Sequence, residues 1–214
     1  MRRHLFALLL VATTVTLGLP APASAQPGDR PATQLFFGPT GRSLPKGQGY
    51  LKSLALTVPY LQGGLTDRLS IGIGTPLMAP AQVVMLTPKF QIQRSARHST
   101  SLGTMHLLAF GGSFGIAYVA HTVETETGAW HVAVLTPYDR KVIGRGLGVM
   151  LAAEHRVSDR TTFITENYLI SGLPMLSAGV RVRAPHTTWD LGWMLPISSY
   201  THAGGPVLNV GYKF

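Results

Sequence analysis

The sequence predicts an all-β fold, an antiparallel up-and-down transmembrane β-barrel of about twelve strands, with ten as the alternative count. Three observations predict it. The chain opens on an export leader, and apolar residues alternate with small or polar ones through most of the remainder. Charged residues make up only 13% of a chain that carries 24 glycines and no cysteine. That is about half the usual charged share. With no disulfide to hold it, the exported chain must be stabilised by packing or by a closed hydrogen-bond network.

The leader comes first. "MRRH" is a basic start, "LFALLLVATTVTLGL" an apolar run, and "PAPASA" places Ala23 and Ala25 at the small-residue positions before a cleavage site. Residues 1–25 therefore read as a signal peptide cut before Gln26, with 26–31 a short N-terminal segment and 32–214 the barrel. An N-terminal membrane helix is the weaker reading, because the run is short and stops at Pro20 and Pro22.

Strands follow with period two. In "LSIGIG" Leu69, Ile71 and Ile73 oppose Ser70, Gly72 and Gly74. Leu147, Val149, Leu151 and Ala153 share one face, as do Leu176, Ala178, Val180 and Val182. Trp189, Leu191, Trp193 and Leu195 do the same, and so do Leu208, Val210, Tyr212 and Phe214. A soluble sandwich, the rival fold, would have to show water the glycine-rich faces. A membrane barrel turns the apolar face to lipid and the small or polar face to the lumen.

Eleven strands are expected, at 49–62, 67–75, 82–93, 101–110, 114–123, 129–136, 145–155, 160–170, 175–184, 187–195 and 206–214. A short twelfth at 32–37 restores even parity. If the C-terminus is periplasmic, turns at 63–68, 94–101, 124–128, 157–159 and 184–187 fall at the periplasmic rim, and the mostly longer or Pro- and Gly-richer connectors fall outside. Trp130, Phe163, Trp189, Tyr60, Phe90, Tyr212 and Phe214 all lie close to periplasmic turns and predict an aromatic girdle there. Pro59 and Pro88 fall inside strands and call for bulges. "MHLLAF" is apolar on both faces, which leaves its register open.

"VLNVGYKF", with alternate hydrophobics and a final Phe, resembles the C-terminal signature of bacterial outer-membrane β-barrels. That resemblance implies Leu208, Val210, Tyr212 and Phe214 as the positions read by the barrel-assembly machinery, and the cell outer membrane as the location. "FFGPTGRSLPKGQGY" (36–50) is similar to a stretch in uncharacterised predicted barrel proteins of bacteria, a likeness that carries no activity. Its glycines and prolines read as loop punctuation, with a ligand loop the alternative.

Inward parity gathers charge in the lumen. A tight turn at Pro185–His186 sets Arg181 opposite Asp190, and Glu166 on the preceding strand faces the same way. Lys89, Glu154, Arg183 and Lys213 share that face. The bland reading is ion pairs that tie the wall together; the functional one is a charged constriction that selects solutes. Glu166, Arg181 and Asp190 are expected to form one network.

Covalent chemistry finds little support. Ser198, Ser199 and His202 lie in one loop without an orienting acid or oxyanion hole. The histidines are scattered, so no metal site is expected, and no cofactor. The net charge of +9 reads first as a solvated surface and second as attraction to lipopolysaccharide or anionic solutes; nothing points to nucleic acid. The expected partners are outer-membrane lipid, lipopolysaccharide and the assembly machinery, with the barrel a monomer. A passive channel or transport barrel is the first functional reading. A structural or surface-interaction barrel with a filled lumen comes second, and an envelope-lipid hydrolase last. Deletion of Phe214 is expected to impair membrane insertion, seen as loss of the heat-shifted folded band in gel electrophoresis of membranes.

Overall fold

The computed structural model describes residues 33–80, 82–139, 146–170, 173–197 and 203–214. The expected leader, the segment 26–31, and the loop residues Ser198, Ser199 and His202 lie outside them.

Alternation in the sequence becomes a closed antiparallel wall. Its segments are β1 (Gly49–Leu54), β2 (Val58–Gly64), β3 (Leu69–Gly74), β4 (Val83–Leu86), β5 (Lys89–Arg94), β6 (His98–Ala109) and β7 (Gly112–Glu124). They continue as β8 (Gly128–Asp139), β9 (Gly148–Arg156), β10 (Thr161–Ile170), β11 (Leu173–Arg183), β12 (Thr187–Pro196) and β13 (Gly205–Lys213). β1 pairs with β13 and closes the ring. β4 and β5 both lie between β3 and β6 in one register, so the 13 segments make twelve wall strands.

The count of twelve stands, but for a different reason from the one the sequence offered. The segment 49–62 is not one strand. It folds into the β1–β2 hairpin, with Ser53 opposite Pro59. Its turn carries Ala55 and Leu56 at φ of 49° and 57°, a left-handed conformation that usually calls for Gly, Asn or Asp. None of those residues marks the turn, which is why the periodicity runs through it unbroken. The segment 32–37 is the converse error: from Thr33 onward it forms no part of the wall. It lies inside the barrel, where Leu35 and Phe36 are 0% exposed.

Side-chain alternation matches the barrel logic. Ile73, Val119, Leu151, Leu191 and Tyr212 point outward and are exposed, while Ser70, Ser101, Thr122, Glu154 and Asp190 point inward and are buried. The hairpin β6–β7 settles the register of "MHLLAF": Met105 packs on the inner cluster of Leu54, Tyr60 and Met85, and His106 faces out beside Tyr138. Pro88 interrupts the wall between β4 and β5, and the register shift lies a little beyond it, between Gln91 and Gln93. Pro59 sits beside the β1–β2 turn.

The turns β2–β3, β5–β6, β7–β8, β9–β10 and β11–β12 share one rim with Phe214, whose N–H and carbonyl both bond Gly49. Trp130, Phe90, Trp189, Tyr212 and Phe214 are exposed near this rim. Tyr60 does not belong to that girdle. It is buried inside, its hydroxyl 2.6 Å from Thr87 Oγ1. Phe110 and Trp193 are exposed toward the far rim, so aromatic residues flank the wall at both ends. Replacing Ala55 by Gly relieves a left-handed side chain and is expected to stabilise the barrel by about 0.5–1 kcal/mol. The check is a raised urea midpoint for reversible folding into lipid vesicles.

Candidate functional site

The lumen is organised by the stretch that loop chemistry alone failed to explain. Residues 33–42 enter from the rim that bears the C-terminus, turn at Phe36–Phe37 and run back. Leu35 N–H bonds the Gly38 carbonyl and Thr40 N–H the Thr33 carbonyl, with Gln34 bridged to Pro39. The result is a small hairpin held inside the barrel.

Close approach explains the glycines of "FFGPTGR". A Cβ on Gly38 would lie 2.2 Å from Met150 Sδ, and one on Gly41 would lie 2.0 Å from the Ser99 carbonyl. Phe36 is buried in a cluster with Met150, Ile164 and Val207, and its ring lies over Gly192. Phe37 packs against both apolar clusters, that one and the Leu54–Tyr60–Met85 group.

A buried backbone must find partners for its N–H and C=O groups. Opposite charges on the wall supply them. Glu166 on β10 accepts from the N–H groups of Phe36 (2.7 Å), Phe37 (3.2 Å) and Gly38 (3.0 Å), and from Tyr168 O–H (2.5 Å). Cations take the carbonyls. Lys52 Nζ donates to Leu35 O (2.8 Å) and Phe36 O (3.3 Å), and Arg181 Nη2 to Gln34 O (3.2 Å) and Leu35 O (3.1 Å). Lys89 Nζ holds Thr33 O at 2.8 Å. Asn209 works in both directions, donating to Phe36 O and accepting from Ala55 N–H in the β1–β2 turn.

These groups are themselves paired. Arg181 makes a two-point bond to Asp190, at 2.6 and 3.0 Å, across the register that sets the two opposite each other. Lys52 reaches the same carboxylate at 3.2 Å, and Arg181 Nη1 lies 3.6 Å from Glu154. Arg42, carried in by the hairpin, bonds Glu154 at 2.6 Å and Glu124 at 2.7 Å. Burial acts against the Arg42 cation, but the bonds and charges of the two glutamates outweigh it and raise its pKa above the ordinary value. His131 Nε2 stands 3.3 Å from Glu154, while its Nδ1 meets Thr122 Oγ1 at 2.8 Å.

Glu166, Arg181, Asp190, Glu154 and Lys89 thus all face the lumen. Arg181, Asp190 and Glu154 meet directly, whereas Glu166 and Lys89 join through the backbone of the hairpin. Arg183 lies nearer the rim and lines, with Lys213, a cavity of about 130 Å³ between the hairpin and β11–β13. A second cavity of about 460 Å³ opens on the opposite flank, among Arg42, Ser43, Gln91, Arg94, Ser99 and Glu124. Lys52, Arg42, Glu124, His131 and Asn209 escaped the sequence reading. A lone lysine in the apolar run "GYLKSL" was the available signal for Lys52; nothing in the sequence signals that Arg42 enters the barrel. The scattered histidines also include one close pair, His98 and His121, stacked with ring centroids 5.6 Å apart near the β5–β6 turn.

No protein-family model matches the chain, and no curated protein matches it in sequence. Solved structures do match in fold. The KdgM porin in complex with disordered oligogalacturonate aligns at a TM-score of 0.60 and 8% identity, covering 78% of this chain and 98% of that one. The KdgM porin structure aligns at 0.59 and 7% identity, with the same coverage. The NanC porin aligns at 0.53 and 9%, covering 78% and 97%. The chain therefore has the fold of outer-membrane porins. Replacing Glu166 by Gln weakens the acceptor for the three N–H groups and is expected to loosen the hairpin by about 1–3 kcal/mol. Hydrogen exchange at Phe36–Gly38 should rise while the β10 and β11 amides stay protected.

Proposed function

We propose that the chain is an outer-membrane barrel that passes small solutes passively, without covalent chemistry, with the 33–42 hairpin as its constriction. One observation carries this reading: a closed wall turns apolar side chains outward and surrounds a charged inner ring. That arrangement suits a membrane and gives a path through it. The likeness to porins supports it, and the oligogalacturonate named with one neighbour belongs to that neighbour. With the C-terminal rim in the periplasm, the hairpin enters from the periplasmic side.

The buried tip favours a second reading, in which the filled lumen stiffens a barrel whose work lies at its surface. Lipid and lipopolysaccharide would be the surroundings in both readings, the assembly machinery would insert a monomer, and no cofactor is required. Conductance in planar bilayers separates them. The complete chain is expected to give small or intermittent currents, and a chain lacking 33–42 large steady ones. Silence from both would overturn the channel reading and leave the filled barrel.

A further inference from the structure

The two halves of the lumen differ in kind. The charged ring lies between the hairpin tip and the C-terminal rim. Beyond the tip the wall changes: among the described strand residues from there to the far rim, Asp139 at the end of β8 is the only charged one. The inward positions hold Met105, Ile116, Tyr118, Ile170, Met194 and Val207. Five of these six are only half-buried although they point inward, so they border open space; Val207 is buried at its edge. Phe37 forms the floor, packed against both apolar clusters. Met85, Met150 and Met175 share the inward face, so every methionine of the described strands lines the lumen. Methionine is flexible and polarizable, which suits apolar ligands of variable shape.

Beside this chamber the pairing that closes the wall is short. The β1–β2 hairpin stops at the height of Asn209, and β13 pairs with β1 only from Val210 to Lys213. No described strand flanks Gly205–Leu208 on that side. Trp193, 54% exposed and opposite Pro206, places this stretch at the membrane interface.

We infer that the outer half of the lumen is a binding chamber for a small apolar molecule, aromatic or aliphatic, held between the hairpin tip and the far rim. The hairpin narrows the axial route below it. The inference rests on the transport reading and deepens it by naming a class of solute. Its energetics are those of apolar burial against adaptable side chains, with no charged anchor among the described strand residues beyond Asp139.

The test is photolabelling of the complete chain in lipid nanodiscs with a trifluoromethyl-phenyl-diazirine probe, with adducts mapped by peptide. Outward residues such as Val119 and Leu191 meet lipid and serve as the internal reference. Peptides carrying Met105, Ile116, Met194 and Val207 are expected to be labelled and to lose that label in excess biphenyl, while the outer belt keeps its own. Ile116→Asn and Met194→Gln, each verified as folded by its heat-shifted band, should lower chamber labelling selectively. Label confined to the outer belt overturns the site whatever the conductance. Competition by a long-chain fatty acid but not by biphenyl overturns the small-molecule occupant. Chamber labelling in protein that passes no solute keeps the site and counts against transport.

Discussion

A stretch of irregular backbone sits inside the barrel, and its N–H and C=O groups must be satisfied without water on every side. Much of the interior follows from that constraint. The N–H groups at the tip require an anion, and Glu166 supplies it; the carbonyls require cations, and Lys52, Lys89 and Arg181 supply those. Charges brought into so confined a space need partners of their own. Asp190, Glu154 and Glu124 are those partners. Charge-assisted bonds of this kind are short and directional, and they hold the hairpin at one depth.

The same constraint explains how the wall is laid out. Opposed positions such as Arg181 and Asp190 fall in register because the β11–β12 turn is short, and β10 brings Glu166 to the other side of the tip. Glycines at Gly38, Gly41 and Gly192 remove the side chains that would keep hairpin and wall apart. Asn209 links the levels. One amide group bonds the tip, the Asp190 carboxylate and the β1–β2 turn, so wall, insert and left-handed turn share a single residue.

Strand parity was legible because it obeys a simple rule: what faces lipid must be apolar, and what faces the lumen need not be. The inward set of Glu154, Glu166, Arg181 and Asp190 could be read from alternation alone, and so could the rim assignment of most connectors. The insert was not legible, because "ATQLFF" has the composition of a strand, and a strand differs from a buried hairpin only by its partners. The β1–β2 turn was hidden for a local reason, since Ala55 and Leu56 adopt a conformation their side chains disfavour. These two misreadings cancelled in the strand count. Tyr60 is a separate case: its nearness to the β2–β3 turn points to the girdle, but its side chain faces inward.

Consider what the wall looks like with the hairpin withdrawn. Of the eight charged groups that bond the hairpin or its charged partners, only Arg42 belongs to the hairpin. The wall keeps Lys52, Lys89 and Arg181 against Asp190, Glu124, Glu154 and Glu166, three cations to four anions. Arg181 and Asp190 still pair across the register, but Glu124 and Glu154 lose their shared guanidinium and Glu166 loses its backbone donors. An emptied lumen therefore leaves two carboxylates without their shared cation, and returning Arg42 restores it. Coulomb attraction and the apolar seat of Phe36 and Phe37 both favour re-entry, so the hairpin is bound to its own barrel much as a ligand is bound. Water flooding the lumen would hydrate the exposed carboxylates and offset much of the Coulomb part. Burial of the two phenylalanines does not benefit from that hydration, and it is the contribution that keeps the closed state favoured.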